Sequence, residues 1–182
     1  MSYLLIGNIF SFLSVLALGR AVLGKSKKDF VFWCAWNSFL GVLTNLALFA
    51  YAATINCLMN LFRDYMSYRG KLTKRLTFIL LILSTLIGIY INNRGLIGLF
   101  PIIASGEYTL CLYWTQNEQQ LRWALVVNLA LWIIHNVYIQ AYPSSIGHFA
   151  LLVWTLFNIM KYHRDNKISQ RGKTTEKLSG LG

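Results

Sequence analysis

Long apolar runs separated by short polar segments make up most of the chain. The runs are roughly 17 to 21 residues long, which is the length of an α-helix that crosses the hydrocarbon core of a bilayer. Seven spans are predicted, at about 3–23, 30–49, 51–68, 75–91, 96–114, 121–140 and 145–163. The first run lacks a basic leading segment and a clear cleavage site, so we interpret it as a span and not as a signal peptide. The pattern predicts an all-α integral membrane protein with seven transmembrane helices.

The composition favours a membrane protein. Of the 182 residues, 56% are hydrophobic and 13% are charged, whereas a soluble domain carries about a quarter charged residues. The net charge of +11 would suit a nucleic-acid partner, but in so apolar a chain the position of the charges matters more than their sum. We therefore expect the lipid bilayer as a partner and no nucleic acid. Cys34, Cys57 and Cys111 stand apart within apolar runs, a pattern typical of small buried residues, and no metal site or cofactor is expected.

Basic residues are confined almost entirely to alternate loops. The loop after span 1 contains Lys25, Lys27 and Lys28. The other basic groups on this side follow span 3 or span 7, namely Arg69, Lys71, Lys74, Arg75, Lys161, Arg164, Lys167, Arg171, Lys173 and Lys177. The opposite loops contain Arg94 alone. Since positive residues mark the cytoplasmic side, the N-terminus is predicted outside and the C-terminus inside, which requires an odd number of spans.

The chain divides into a transmembrane domain over residues 1–164 and a polar segment over residues 165–182. The polar segment is rich in Lys, Ser and Gly. Such a composition buries little apolar surface, so a disordered cytoplasmic tail is predicted there.

An internal repeat is visible at an offset of 91 residues. This shift places Asn37 on Asn128 and Asn45 on Asn136, and it aligns spans 1 and 2 with spans 5 and 6. The third helix of each half aligns at an offset of 95, which predicts a longer loop around Pro143. The predicted architecture is therefore two parallel three-helix units, at about 3–69 and 96–164, joined by a linker helix at about 75–91.

Four spans carry polar side chains along one helix face. Helical spacing groups them as Asn37, Gly41, Thr44 and Asn45 in span 2; Asn56, Asn60 and Arg63 in span 3; Asn128, Trp132, His135 and Asn136 in span 6; and His148, Thr155 and Asn158 in span 7. These stripes either bind neighbouring helices through hydrogen bonds or line a polar cavity. Under the second reading, the candidate solute-binding residues are Asn45, Asn60, Arg63, Trp132, His135, Asn136 and Asn158.

Several of these groups have a structural and a functional reading. Arg63 is next to Asp64 and either pairs with it locally or binds an anionic group of a solute. His135 either forms a hydrogen bond to a neighbour or carries a proton. Glu107 lies inside span 5 and pairs with a basic group, stays protonated or takes up a proton. Pro101, also in span 5, frees a carbonyl group and permits a kink.

Four short motifs resemble the YgjV family of bacterial inner-membrane proteins. They are Trp132-Ile-Ile-His135-Asn136, Ser145-Ile-Gly147, Asn60-Leu-Phe-Arg63 and Leu99-Phe-Pro101-Ile, and Asn158 followed by a basic helix end matches as well. The resemblance covers spans 1 to 7 and implies a location in the bacterial inner membrane. This chain has Thr155 where the family pattern suggests an asparagine. The arrangement of spans is also distantly similar to the SWEET sugar facilitators and the PnuC transporters.

Two functions compete on this basis. The first is transport of a small polar solute, similar to a sugar or a nucleoside, by alternating access between the two units. The second is a membrane protein that does not transport, such as an immunity protein, a scaffold or an accessory subunit. An intramembrane enzyme is not expected, since paired aspartates, an HExxH motif and a Ser/His arrangement are missing. The oligomeric state is open, and homo-oligomers are one alternative.

Overall fold

The protein is all-α over the residues that the computed structural model describes, which are 2–22, 27–114 and 118–179. The helices are α1 (Ser2–Val22), α2 (Lys27–Ala47), α3 (Tyr51–Tyr68), α4 (Lys74–Tyr90), α5 (Gly95–Trp114), α6 (Glu118–Tyr138) and α7 (Tyr142–Ser179). Each of the seven predicted spans coincides with one helix. The all-α fold and the number of helices are thus confirmed.

Two helices within the described ranges are long and apolar enough to cross a membrane by length and composition alone. They are Ser2–Ala21, with a mean hydropathy of 1.8, and Tyr142–Tyr162, with a mean hydropathy of 1.2. Shorter apolar stretches occur at Val31–Ala47 and Gly95–Cys111. The polar stripe of α2 lowers its mean hydropathy, as does that of α6. Seven membrane crossings therefore stay a prediction, and so does their orientation.

The helices pack as a ring in which the first helix meets the last. Helix α1 packs on α2 and α7, α3 packs on α2, α4 and α5, and α6 packs on α5 and α7. Small residues allow the closest approach between α1 and α7. A Cβ atom added to Gly147 would lie 2.7 Å from Cγ2 of Val15, which is shorter than van der Waals contact.

The turn between α2 and α3 is built on Phe49, which has a positive φ of 55°. The amide of Ala50 donates to the carbonyl of Asn45 at 2.8 Å, and the amide of Phe49 donates to Leu46 at 3.1 Å. These two bonds define a Schellman motif, which satisfies the last carbonyl groups of the helix. Glycine normally occupies the left-handed position, so a phenylalanine there requires support from its surroundings.

The turn between α6 and α7 repeats this geometry. Gln140 has a positive φ of 63°, the amide of Ala141 donates to the carbonyl of Asn136 at 2.8 Å, and Gln140 donates to Val137 at 3.1 Å. The four residues of this motif follow those of the first by 91 positions.

Each of these two turns is held by an asparagine from a distant segment. The Nδ2 group of Asn93 donates to the carbonyl of Phe49 at 2.7 Å, and its Oδ1 accepts from the amide of Tyr51 at 3.4 Å. Asn8 makes the matching pair with the carbonyl of Gln140 at 3.0 Å and the amide of Tyr142 at 3.2 Å. One side chain therefore satisfies the end of one helix and the start of the next.

An apolar cluster joins the two turns. Leu48 and Ala50 from the first turn pack with Ile139 and Ala141 from the second, and Ala53 of α3 completes the cluster. All five side chains are buried. The two turns are thus packed together at one end of the helices.

The predicted longer loop before α7 is wrong. Helix α3 begins at Tyr51 and α7 begins at Tyr142, so the offset at this point is still 91 residues. The physical reason is that Pro143 lies in the first turn of α7, where the missing amide hydrogen of proline costs no helical hydrogen bond.

Helix α7 also extends into the polar segment for which a disordered tail is predicted. Helix α7 continues to Ser179, which includes 165–179 of the polar segment. Lys, Arg, Gln and Glu are good helix formers, and adding a residue to an existing helix avoids the cost of a new nucleus. A polar composition therefore does not by itself end the helix.

The close contact of Gly147 with Val15 predicts a large cost for a small substitution. We expect Gly147→Ala to lower the free energy of unfolding by about 1–3 kcal/mol, as overpacking does in a filled interior. Gly19→Ala is the matched control, because a Cβ atom there meets no described atom within 4 Å. Denaturation of both variants in detergent micelles measures the difference. Equal stability of the two would contradict the packing described for α1 and α7.

Candidate functional site

A polar cavity of about 240 Å³ lies between α1, α2, α3, α6 and α7. It is lined mainly by the polar faces of these helices. The polar and aromatic lining residues are Ser14, Cys34, Asn37, Ser38, Thr44, Asn45, Cys57, Asn60, Arg63, Asp64, Asn128, Trp132, Asn136, Ser144 and His148. All four helices with a predicted polar stripe contribute to the wall.

The cavity runs along the helices from the two packed turns toward the opposite end of the ring. On α2 its wall extends from Asn45 to Cys34, which corresponds to about 16 Å of helix axis. One turn beyond Asn45 comes Leu48 of the buried apolar cluster. We call the part near this cluster the inner end of the cavity and the part near Cys34, Arg63 and Asp64 its mouth.

His148 and Trp132 form an aromatic wall near the inner end. Their rings are stacked with centroids 5.9 Å apart and an interplanar angle of 20°. The amide group of Asn136 is hydrogen-bonded to Nδ1 of His148 at 3.0 Å, which fixes the imidazole ring. An aromatic face beside amide groups can hold a solute ring by stacking and by hydrogen bonds.

Asn45 is the counterpart of Asn136 on the other side of the inner end. Its Nδ2 group donates to the carbonyl of Gly41 at 2.8 Å and approaches Sγ of Cys57 at 3.5 Å. Its Oδ1 atom is buried and has no hydrogen-bond partner among the described residues. An unpaired buried acceptor is costly, and this oxygen is itself shielded from the open volume.

An ion pair lies at the mouth. Nη2 and Nε of Arg63 donate to Oδ1 of Asp64 at 3.0 Å and 3.2 Å. The Oγ of Ser38 donates to the other carboxylate oxygen at 3.0 Å. The structural reading of Arg63, as a local partner of Asp64, therefore holds, and both side chains also line the cavity.

Of the predicted solute-binding residues, Asn45, Asn60, Arg63, Trp132 and Asn136 line this one cavity. The structure does not bring His135 and Asn158 to it.

His135 instead faces α5. Its Nδ1 lies 3.1 Å from the carbonyl oxygen of Ile97, which can only accept, so Nδ1 carries the proton. In a regular helix that carbonyl would accept from the amide of residue 101, and Pro101 has none. The imidazole is fully buried and supplies the hydrogen bond that Pro101 cannot. The structure thus favours the hydrogen-bonding role of His135 over the proton carrier.

Asn158 is bound within and beside its own helix. Its Nδ2 group donates to the carbonyl of Trp154 at 3.0 Å, and its own carbonyl accepts from Arg122 at 3.4 Å. On α7, the lining residues nearest to Asn158 are His148 and Leu151. Asn158 therefore lies beyond the cavity wall.

Other asparagines of the stripes connect helices. Oδ1 of Asn37 accepts from Ser14 at 2.7 Å, and Nδ2 of Asn128 donates to the carbonyl of Ala104 at 2.8 Å. Asn56 donates to the carbonyl of Pro101 at 3.1 Å and to Ser105 at 2.9 Å. The stripes therefore combine both predicted roles, helix association and cavity lining.

Glu107 lies outside the cavity. Its Oε1 accepts from Sγ of Cys111 at 3.5 Å, and its Oε2 has no hydrogen-bond partner among the described residues. Within the described part of the chain, no three His, Cys, Asp or Glu side chains converge as a metal site would require.

His148 lines the cavity, but the sequence interpretation placed it on the polar stripe of span 7 and not among the solute-binding residues. Shifting by 91 residues places Cys57 on His148, and each contacts the asparagine of its own half, Asn45 or Asn136. The assumed offset of 95 for the third helix concealed this match. Retaining the first offset would have revealed it.

The bond between His135 and Ile97 can be tested with a double-mutant cycle. We expect His135→Leu to lower the free energy of unfolding by about 1–3 kcal/mol, because the buried carbonyl of Ile97 loses its donor. In a Pro101→Ala background, the restored amide of residue 101 donates to the carbonyl of Ile97. His135→Leu should therefore lower the free energy of unfolding by less in that background. Denaturant titration of the four proteins gives the coupling energy. An equal cost in both backgrounds would exclude this role of His135.

Comparison with known proteins identifies the family. The family model Imp-YgjV, described as bacterial inner membrane protein, matches residues 5–166. Neither a curated protein nor a solved structure matches the chain, and the expected similarity to SWEET and PnuC transporters is not shown. The family match includes part or all of each of the seven helices and every residue of the cavity wall, and it confirms the resemblance found in the sequence motifs. The chain belongs to the YgjV family of bacterial inner membrane proteins.

Proposed function

We propose that this inner membrane protein transports a small polar solute through the cavity between its two halves. The polar cavity itself carries the proposal. Intramembrane polar groups are costly and normally face a bundle interior or a water-filled cavity. Here the side chains of five helices leave an open volume of about 240 Å³ between them. This volume is below the about 300–1,000 Å³ of sites for drug-sized ligands, which favours a solute no larger than one sugar or nucleoside.

The proposed topology has seven crossings, with the N-terminus outside and the C-terminus inside. Arg94 supports this orientation, because it donates to the carbonyl of Leu48 at 2.6 Å and so lies at the end of the ring opposite Lys74 and Arg75 of α4. Positive residues concentrate at that other end, which by the positive-inside tendency is cytoplasmic.

The proposed architecture is two parallel three-helix units joined by α4. The two Schellman turns, at Phe49 and Gln140, support it through matching dihedral angles and hydrogen bonds. Helix packing supports it as well. In this architecture α1 corresponds to α5, and α3 corresponds to α7. The contact between α1 and α7 then has its counterpart in the contact between α5 and α3, and both contacts occur.

In this orientation the cavity faces the cytoplasm. The apolar cluster of Leu48, Ala50, Ala53, Ile139 and Ala141 packs against the inner end of the cavity. In this orientation, the cluster closes the cavity toward the outside of the cell. Alternating access would then require this cluster and the asparagine contacts at the two turns to separate. Such a change is a rigid-body motion of one unit against the other.

A second function is favoured by the polar contacts between helices. Asn37, Asn56 and Asn128 are all used in hydrogen bonds to neighbouring helices or side chains. A scaffold, an immunity protein or an accessory subunit needs no more than such contacts. We propose the transporter first because Asn45, Asn60 and Trp132 line open volume in addition. In both cases the protein is proposed to act without catalysis, with the bilayer as its partner.

Uptake by proteoliposomes tests the transport proposal. The full-length protein is reconstituted and assayed with a panel of labelled sugars, nucleosides and amides. We expect uptake of at least one solute by wild type and a loss of roughly tenfold or more in Asn136→Ala, since truncation frees His148 and removes a hydrogen-bonding group from the cavity.

Asn158→Ala is the matched control for this assay. It removes the same side-chain amide from a position outside the cavity, so uptake should be retained. No uptake of any solute by wild type would favour the scaffold or accessory role. Equal loss in both variants would show that the assay reports folding and not solute binding.

A further inference from the structure

The cavity contains one positive and one negative side chain. Arg63 and Asp64 are the basic and acidic members of its lining, and the remaining polar members are amides, hydroxyls, thiols and aromatic rings. The two charges are adjacent in sequence and directly paired. The mouth of the proposed solute pathway therefore carries no net charge.

The carboxylate of Asp64 accepts hydrogen bonds from both Arg63 and Ser38. One carboxylate oxygen accepts from both Nη2 and Nε of Arg63, and the other accepts from Ser38. The side chain of Asp64 is 10% exposed, whereas that of Arg63 is 31% exposed. The carboxylate is therefore the buried member of the pair, and the guanidinium is the member that a solute can reach.

This arrangement disfavours charged solutes of either sign. An anion that approaches Arg63 also meets the carboxylate of Asp64, about 3 Å from the guanidinium, and like charges in close contact are strongly unfavourable. A cation finds both carboxylate oxygens already accepting hydrogen bonds. An uncharged solute meets neither penalty.

We propose that Asp64 sets the charge selectivity of the cavity: by neutralising Arg63 it restricts the cavity to uncharged solutes, and removing its charge converts the mouth into an anion site. The selectivity for solutes rests on the proposed transport function. The conversion into an anion site does not, because it needs only the pair and an accessible cavity.

The test measures binding of inorganic phosphate to the purified full-length protein in detergent at low ionic strength. Wild type and Asp64→Asn are compared by isothermal titration calorimetry and by the phosphate dependence of the thermal unfolding midpoint. Asparagine keeps the shape of the side chain and an oxygen for Ser38, but it leaves the Arg63 guanidinium without a counter-charge.

Two variants serve as controls. Asp29→Asn makes the same change of formal charge in the first turn of α2, outside the cavity lining. The double variant Arg63→Gln/Asp64→Asn removes both members of the pair. If Asp64→Asn does not purify as a monodisperse protein, Asp64→Ser replaces it, since serine also removes the charge and keeps a hydrogen-bonding group.

We expect Asp64→Asn to bind phosphate at least roughly tenfold more tightly than wild type or Asp29→Asn, and the double variant to lose this gain. Phosphate binding by wild type as tight as that of Asp64→Asn would overturn the proposal, and so would a gain that persists in the double variant. A folded Asp64→Asn without any gain would also overturn it. The readout is equilibrium binding and not uptake. Tighter phosphate binding by Asp64→Asn, together with no uptake of any solute by wild type, would therefore count against the transport proposal and support this one.

Discussion

The first amide groups and the last carbonyl groups of a helix have no partner within the helix and must be bonded elsewhere. The turns at Phe49 and Gln140 meet this requirement in the same way. Each closes its helix with a Schellman motif on a left-handed residue that is not glycine. Each is then held by an asparagine, Asn93 or Asn8, that bonds the turn carbonyl and the first amide of the next helix. The positions of α3 beside α2 and of α7 beside α6 depend on these contacts.

The cavity follows from how the remaining polar groups are used. Where a stripe meets a neighbouring helix closely, its asparagine bonds across the contact, as Asn128 does to Ala104. Where the two halves face each other without close packing, Asn45, Asn60 and Asn136 border open volume. Packing of the turns by Leu48 and Ile139 closes one end of that volume. Asparagines of the stripes therefore serve both the closely packed helix contacts and the wall of the open volume.

Sequence reasoning succeeds here where the signal is periodic. Apolar runs predicted each helix, and the 3.6-residue spacing of polar groups placed Asn45 and Asn136 on faces that meet. It fails where a role depends on contact between distant residues. Nothing around His135 indicates that it compensates for Pro101, since that bond depends on how α5 packs against α6. The correspondence of His148 with Cys57 was concealed by an assumed insertion before α7 that Pro143 made plausible, although proline is tolerated in a first helical turn.

The central claim is that the polar cavity is open to water from the cytoplasmic side. The most direct measurement is labelling of Asn60→Cys, in a background without native cysteines, by a membrane-impermeant thiol reagent. Inverted membrane vesicles expose the cytoplasmic side and spheroplasts expose the outer side. Phe62→Cys is the control, because Phe62 lies two residues away on α3 and faces outward from the ring, 42% exposed. The account predicts labelling of Asn60→Cys in inverted vesicles and not in spheroplasts, with Phe62→Cys protected by lipid in both. Failure of Asn60→Cys to react in either preparation would contradict it.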